Sequence, residues 1–344
     1  MRLPALPISF ATEWKNKRVM ERAVFGTRTG EVLVGYGPFT AQAEAPSSGV
    51  AFYKNDFSLS QENPWLIPDR VEVLEAAGGS ASPDIGWDEP DPAPFAEVFR
   101  EVTSAISQGV IEKSVPVVTV KGRGEASPDS LLDSLLSLPA NLRPYGWIGE
   151  DDGFLGATPE VLFRYFDGRI YTMALAGTAR SDESALFAID DKEIREHEFV
   201  AQTLIAKLSD LGMVTRQERG ILDLGKLIHF QTLIKVELYR YELIQTLIDR
   251  LHPTPALGPL PRTPETMTLL KEWRERLHCP PEFGAPFGLY RDGDFEALVA
   301  IRMMAWQGDQ FQLPSGCGVI QESRLVNEWR ELALKREAVK ELFS

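Results

Sequence analysis

The chain has 344 residues, 44% of them hydrophobic and 10% aromatic, with 36 Lys and Arg against 50 Asp and Glu for a formal charge of −14. That apolar share supports a substantial core. The acidic balance argues against a nucleic-acid backbone or an anionic lipid surface as partner, since both need a basic face; a small anionic ligand would need a local cluster of cations or backbone N–H groups.

Residues 1–18, MRLPALPISFATEWKNKR, contain no apolar run of signal-peptide length. No stretch approaches the roughly 20 apolar residues of a membrane span. Cys279 and Cys317 lack a CxxC spacing, which fits a reducing, cytoplasmic setting. Residues 20–60 alternate apolar and polar and read as strands. Gly26, Gly30, Gly35 and Gly37 read as hairpin turns, because neither a helix nor GK[ST] follows them. Residues 78–94, rich in proline and acid, mark a candidate boundary. It would separate a strand-rich part (1–90) from a catalytic region (95–344) within one 1–344 domain.

The run at 94–109 has helical spacing and stops at Gly109. A strand is expected over 110–122 and a helix over 128–138. Successive strands are expected over 145–180, with tight turns at Asp152-Gly153 and Asp167-Gly168. A helix is expected over 184–212, strands over 214–240, and helices over 241–251 and 263–277. Strands at 285–291, 295–306 and 309–321 then lead into a last helix, 323–342. Short turns between strands predict an α+β protein, with large, mostly antiparallel sheets and helices outside.

On the last helix, Glu328, Glu331 and Lys335 share one stripe at i, i+3 and i+7. The preceding Ser315-Gly316-Cys317-Gly318 allows close backbone approach. Residues 191–200 place Glu193 and Glu196 at i, i+3. The pattern suits a divalent-cation and carboxylate-ligand site, and it equally suits two solvated acidic faces; spacing leaves both open.

Four phrases taken together are more specific: GATPEVLF (156–163), ALAGTAR (174–180), LHPTPALG (251–258) and SGCGVI…NEWREL…K (315–335). In this order they resemble the chorismate-utilising enzymes, the isochorismate, salicylate, anthranilate and aminodeoxychorismate synthases. Coverage is roughly 95–340, and LHPTPAL is most similar to the isochorismate synthases. The resemblance implies an anthranilate-synthase-like sandwich and a Mg2+-dependent isomerase that turns chorismate into isochorismate. In that reaction water adds at C2 and the C4 hydroxyl leaves, for menaquinone or siderophore-type biosynthesis.

Residue by residue, the resemblance implies Lys113 as the base for water and Glu160 as the acid for the departing hydroxyl. It implies Glu196 and Glu331 as Mg2+ ligands with Glu328 as a third, and leaves Glu193 as a solvated neighbour. Gly177, Thr178, Gly316 and Gly318 would turn backbone toward substrate oxygens. Arg302, on a buried strand, would bind a substrate carboxylate together with Lys335. His229 would lie beside the ring with Thr232 near it, and Ala256 and Leu257 would wall C2. Ala176 excludes a covalent lysine route, while His252 and His278 read as structural.

Pro259 stands where the family has glycine, and Pro280 where it has arginine, with Arg274 or Arg276 as possible replacements. Phe283 takes the place of the tyrosine of salicylate synthases, and Cys317 that of an alanine. A salicylate synthase and a non-catalytic chorismate-binding member are the alternatives. A monomer without a glutaminase subunit is expected.

Overall fold

The computed structural model describes residues 20–75 and 82–344. Some helices begin where the sequence supplies a side-chain cap. The Asp91 side chain accepts the Ala93 N–H at 2.9 Å and opens α1 (Pro92–Ser107). Its Phe95, Val98, Phe99, Val102 and Ile106 form one buried stripe, and Gly109 at φ +70° ends the run. Then come α2 (Pro128–Leu135), α3 (Ser184–Phe187), α4 (Asp191–Leu208), α5 (Ile244–Leu251), α6 (Pro264–Arg276) and α7 (Leu325–Leu342). The single helix expected over 184–212 is broken, because Asp190 accepts the N–H groups of Lys192 and Glu193 and so caps a fresh start at α4. Among the described residues no helix is long and apolar enough to cross a membrane.

Among the described residues the strands form one nine-stranded and one ten-stranded sheet, antiparallel as expected. The N-terminal strands are threaded through both. Arg22–Gly26 pairs with Val32–Tyr36 and with Arg143–Ile148, and Val50–Lys54 pairs with Pro286–Arg291. The boundary expected at 78–94 is corrected accordingly. Its residues 78–81 lie outside the described residues, and Asp84–Trp87 forms an edge strand against Val117–Glu125. Of the four glycines read as turns, Gly30 sits in one (φ +90°). Gly35 lies mid-strand, where a Cβ would come within 2.4 Å of the Phe52 ring. The largest core cluster includes Tyr53, Trp65, Phe163, Phe287 and Phe295, rings meeting edge-on or tilted as their quadrupoles favour.

Two adjacent chain crossovers between the sheets position the site. The chain leaves the nine-stranded sheet after Asp152–Thr158 and enters the ten-stranded sheet at Val161–Phe166. The antiparallel neighbour runs back, from Asp294–Val299 to Met303–Gln307. The continuous strand expected over 295–306 is therefore two strands, and Arg302 sits in the break at φ +53°. Backbone bonds tie the crossovers together, Ala157 N–H donating to Arg302 O (3.2 Å) and Val299 N–H to Glu160 O (3.0 Å). Glu160 and Arg302 thus both stand between the sheets.

Other expectations shift locally. The strand expected from residue 110 begins only at Val117, leaving Lys113 and Ser114 on isolated bridges to Leu260 and Val319. The turn placed at Asp152-Gly153 falls at Gly149–Asp152, closed by Gly149 N–H to Asp152 O (2.8 Å). The Asp167-Gly168 turn is present, both residues at positive φ, as a two-residue hairpin with that twist requires.

A buried ion pair joins the sheets. Arg143 donates to both oxygens of Glu296 (3.1 and 2.9 Å) and to Gly26 O (2.7 Å). Removing one member leaves an uncompensated buried charge. Arg143→Met is expected to destabilise by about 3–5 kcal/mol in denaturant unfolding, and adding Glu296→Leu to recover most of that loss.

Candidate active site

A cavity of about 80 Å³ lies between the crossovers and α4 and α7. Glu160, Gly177, Thr178, Glu196 and His229 line it, as do Ala256, Leu257, Arg302, Gly316, Gly318 and Lys335. The sequence therefore named most of its wall. Phe283 and Ala176 line it too.

Glu160 is 4% exposed. Burial pushes its carboxyl up to about 7, and nearby Lys113 and Lys335 offset only part of that rise. Arg302 is pulled down to about 10 by burial and makes no ion pair among the described residues. Its guanidinium lies 2.6 Å from His229 Nε2. A guanidinium only donates, so Nε2 must carry the lone pair and Nδ1 the hydrogen, which reaches Gly177 O at 2.8 Å. Burial and the Arg302 charge both hold His229 well below its usual range, so the ring is neutral. His229 thus fixes the orientation of the arginine, which lines the cavity.

Gly177 is at φ +76°, where glycine is unstrained. The following N–H, of Thr178, donates to Glu193 at 2.8 Å. Glu193 is thus no solvated neighbour: its side chain is 12% exposed and it also meets Lys192 at 2.8 Å.

The carboxylates of α4 and α7 lie on buried faces, unlike solvated acidic stripes. Lys192, which the sequence pattern did not single out, lies among them. Its Nζ is 2.8 Å from Glu193, 3.3 Å from Glu196 and 3.4 Å from Glu328. Glu196 Oε1 faces Lys113 at 3.2 Å, and Glu331 pairs with Lys335 at 2.6 Å. Burial alone would raise Glu196, but Lys113, Lys192 and Lys335 outweigh it and hold the carboxyl low. Burial, joined by the Glu331 charge, raises Glu328.

Among the described residues no three His, Cys, Asp or Glu side chains are arranged to hold a metal ion; ammonium groups stand between the carboxylates. The donor set nonetheless suits Mg2+, being hard oxygens from two helices. Glu328 Oε2 is buried without a hydrogen-bond partner, a free acceptor pointing to an occupant beyond the ammonium.

Two expectations are corrected, that for Thr232 and that for Arg274 or Arg276, and Lys113 is located outside the cavity lining. Thr232 does not line the cavity; three residues from His229 on one strand, it faces the other side of the sheet, where its hydroxyl meets His197 Nε2 at 2.8 Å. His197, buried and held down to about 4 chiefly by burial, was not singled out in the sequence. Lys113 is fully buried behind the wall rather than in it, its Nζ donating to Pro255 O at 2.6 Å. Neither Arg274 nor Arg276 reaches the cavity: Arg274 donates to Phe283 O (2.7 Å) and Arg276 pairs with Glu101.

Gly318 serves a purpose its backbone N–H did not suggest. A Cβ there would come within 1.8 Å of Glu196 Oε1. Past Pro259, Leu260 exchanges backbone bonds with Lys113 (2.9 and 3.4 Å), so the altered loop anchors that lysine's backbone. His252 is structural, its Nε2 bonded to Phe57 O at 2.8 Å.

The fold and cavity define a two-sheet α+β protein with a cavity lined by both acidic and basic side chains. The chain belongs to the chorismate binding enzymes, whose family model, "Chorismate binding enzyme", matches residues 71–343. It is 30% identical over 257 residues to the salicylate biosynthesis isochorismate synthase of Pseudomonas aeruginosa, covering 71% of this chain and 53% of that protein. It is 26% identical to isochorismate synthase MenF of Bacillus subtilis, covering 85% of this chain and 61% of that one. The chain thus spans just over half of the length of these curated relatives. The solved structure of the menaquinone-specific isochorismate synthase MenF of Escherichia coli shares the fold, with a TM-score of 0.80 at 20% identity, covering 96% of this chain and 90% of that one.

Proposed function

We propose that the protein is a Mg2+-dependent isochorismate synthase, adding water at C2 of chorismate with loss of the C4 hydroxyl. The observation that carries this reading is a buried Glu160 with its carboxyl pushed up to about 7, sharing one cavity with an arginine that has no acidic partner among the described residues. At neutral pH such an acid keeps a proton to give to the leaving hydroxyl. Arg302, aimed by neutral His229, binds one carboxylate of the dianion. Glu196, Glu328 and Glu331, with Glu193 beside them, are the residues that would hold Mg2+, which supplies a Lewis-acid clamp for the other carboxylate.

Lys113 is the proposed base. Its amine donates to Pro255 O and faces Glu196, contacts it must loosen, losing its own proton, before it can take one from water. Ala176 offers no amine for a covalent route, and water as nucleophile requires no glutaminase subunit. A cytoplasmic monomer feeding menaquinone or siderophore-type biosynthesis completes the reading.

Chromatography of the purified chain incubated with chorismate and MgCl2 tests it, with isochorismate expected as the product. Salicylate with pyruvate would reassign it as a salicylate synthase. Tight chorismate binding without turnover would make it a non-catalytic member.

A further inference from the structure

Four carboxylates, Glu193, Glu196, Glu328 and Glu331, meet three amines, Lys113, Lys192 and Lys335. The amines are not equivalent. Lys113 is anchored to Pro255 O and Lys335 to Gly316 O (2.9 Å), each by a backbone carbonyl. Lys192 has no such anchor among its contacts: its partners are the three carboxylates, two from α4 and one from α7. It stands in the first turn of α4, next to the Asp190 cap, with its side chain 17% exposed. A flexible four-carbon stem at a helix start can swing to water.

An ammonium and a divalent cation cannot share a position defined by the same oxygens, because their repulsion at contact distance in a buried site is large. The ammonium also leaves one acceptor unused, Glu328 Oε2, in a side chain 2% exposed.

We propose that Lys192 is a resident counter-ion, holding the carboxylates of α4 and α7 together when no divalent cation is bound and being expelled when one binds. The inference rests on the metal reading above and deepens it. Lys192 keeps the acidic cage from repelling itself apart, and it sets the affinity for the metal. Apparent affinity is the intrinsic affinity scaled by the fraction of molecules whose cage is open, so a seated lysine weakens binding. It thereby makes occupancy, and the activity that depends on it, responsive to the Mg2+ concentration.

Titration calorimetry of the full chain with MgCl2 tests this, comparing wild type with Lys192→Met, which keeps the stem and removes the charge. The variant is expected to bind Mg2+ at least tenfold more tightly. It is also expected to melt at lower temperature in EDTA and to gain more than wild type when Mg2+ is added. Lys192→Gln serves if the methionine variant does not fold. In the wild type itself, amine acetylation followed by mass spectrometry should show Lys192 labelled severalfold faster with Mg2+ than without.

If wild type binds Mg2+ while the variant binds no more tightly and Lys192 labelling is unchanged, this proposal is overturned and the metal reading stands. If neither protein binds Mg2+, both are overturned.

Discussion

Glu160→Gln is expected to lose about 10²–10⁴-fold in chorismate turnover and, at the same time, to make the protein more stable at alkaline pH. The amide keeps the shape of the carboxylic acid and cannot release a proton. The stability gain follows from where the carboxyl titrates. Burial raises it from 4.5 in the unfolded chain to about 7 in the folded one, so between these values the folded state binds more protons than the unfolded state. Stability therefore falls as pH rises through that window, and the full penalty is present above 7. A rise of that size corresponds to about 3 kcal/mol, an order-of-magnitude figure. Glutamine removes the penalty, so wild type and variant should unfold at similar urea concentrations near pH 4.5 and diverge by pH 8.5 in the variant's favour. Turnover by the wild type should fall above pH 7, as the proton to be donated is lost. A variant that is inactive yet no more stable at pH 8.5 would mean that Glu160 is ionised in the folded protein and is not the acid.

Much of the site was legible because local chemistry and chain position coincide there. Arg302 and Gly177 sit at positive φ and Glu160 follows Pro159 at a crossover, and the phrases around them are short enough to read. The crossovers were not legible, because a nearly unbroken apolar run continues through 295–306 and nothing in the pattern says that Val299 and Met303 belong to different sheets. Thr232 was misplaced because proximity in sequence to His229 hides the alternation of strand faces.

Lys192 was missed for a different reason. A lysine beside glutamates in a helix's first turn usually faces water, as an i,i+4 partner. Only the arrival of Glu328 from α7 converts it into the centre of a cage. Charges closed in by a second element cannot be told from solvated ones until that element is placed.

The two glycines of Ser315-Gly316-Cys317-Gly318 show how far a motif can be read for the wrong reason. Both looked like donors of backbone N–H groups, yet they meet different neighbours. A methyl at 316 would lie 3.2 Å from Val115 and 3.3 Å from Val117, contacts that small side-chain shifts relieve. A methyl at 318 would lie 1.8 Å from Glu196 Oε1 and 2.5 Å from its Cδ. The obstacle there is the end of a side chain, so Gly318→Ala should fold, but only by turning Glu196 away from Lys113 and Lys192. Gly318→Ala is therefore expected to lose on the order of 10²-fold in Mg2+ affinity and turnover, comparable to removing a residue that orients a metal ligand, with its melting temperature within a few degrees of wild type. Gly316→Ala is expected to change both within a few fold. Calorimetric Mg2+ titration and chorismate turnover on the two variants separate the readings. If both glycines acted only through their N–H groups, which alanine keeps, the two variants would behave alike, whereas loss confined to position 318 assigns that glycine to the space Glu196 occupies.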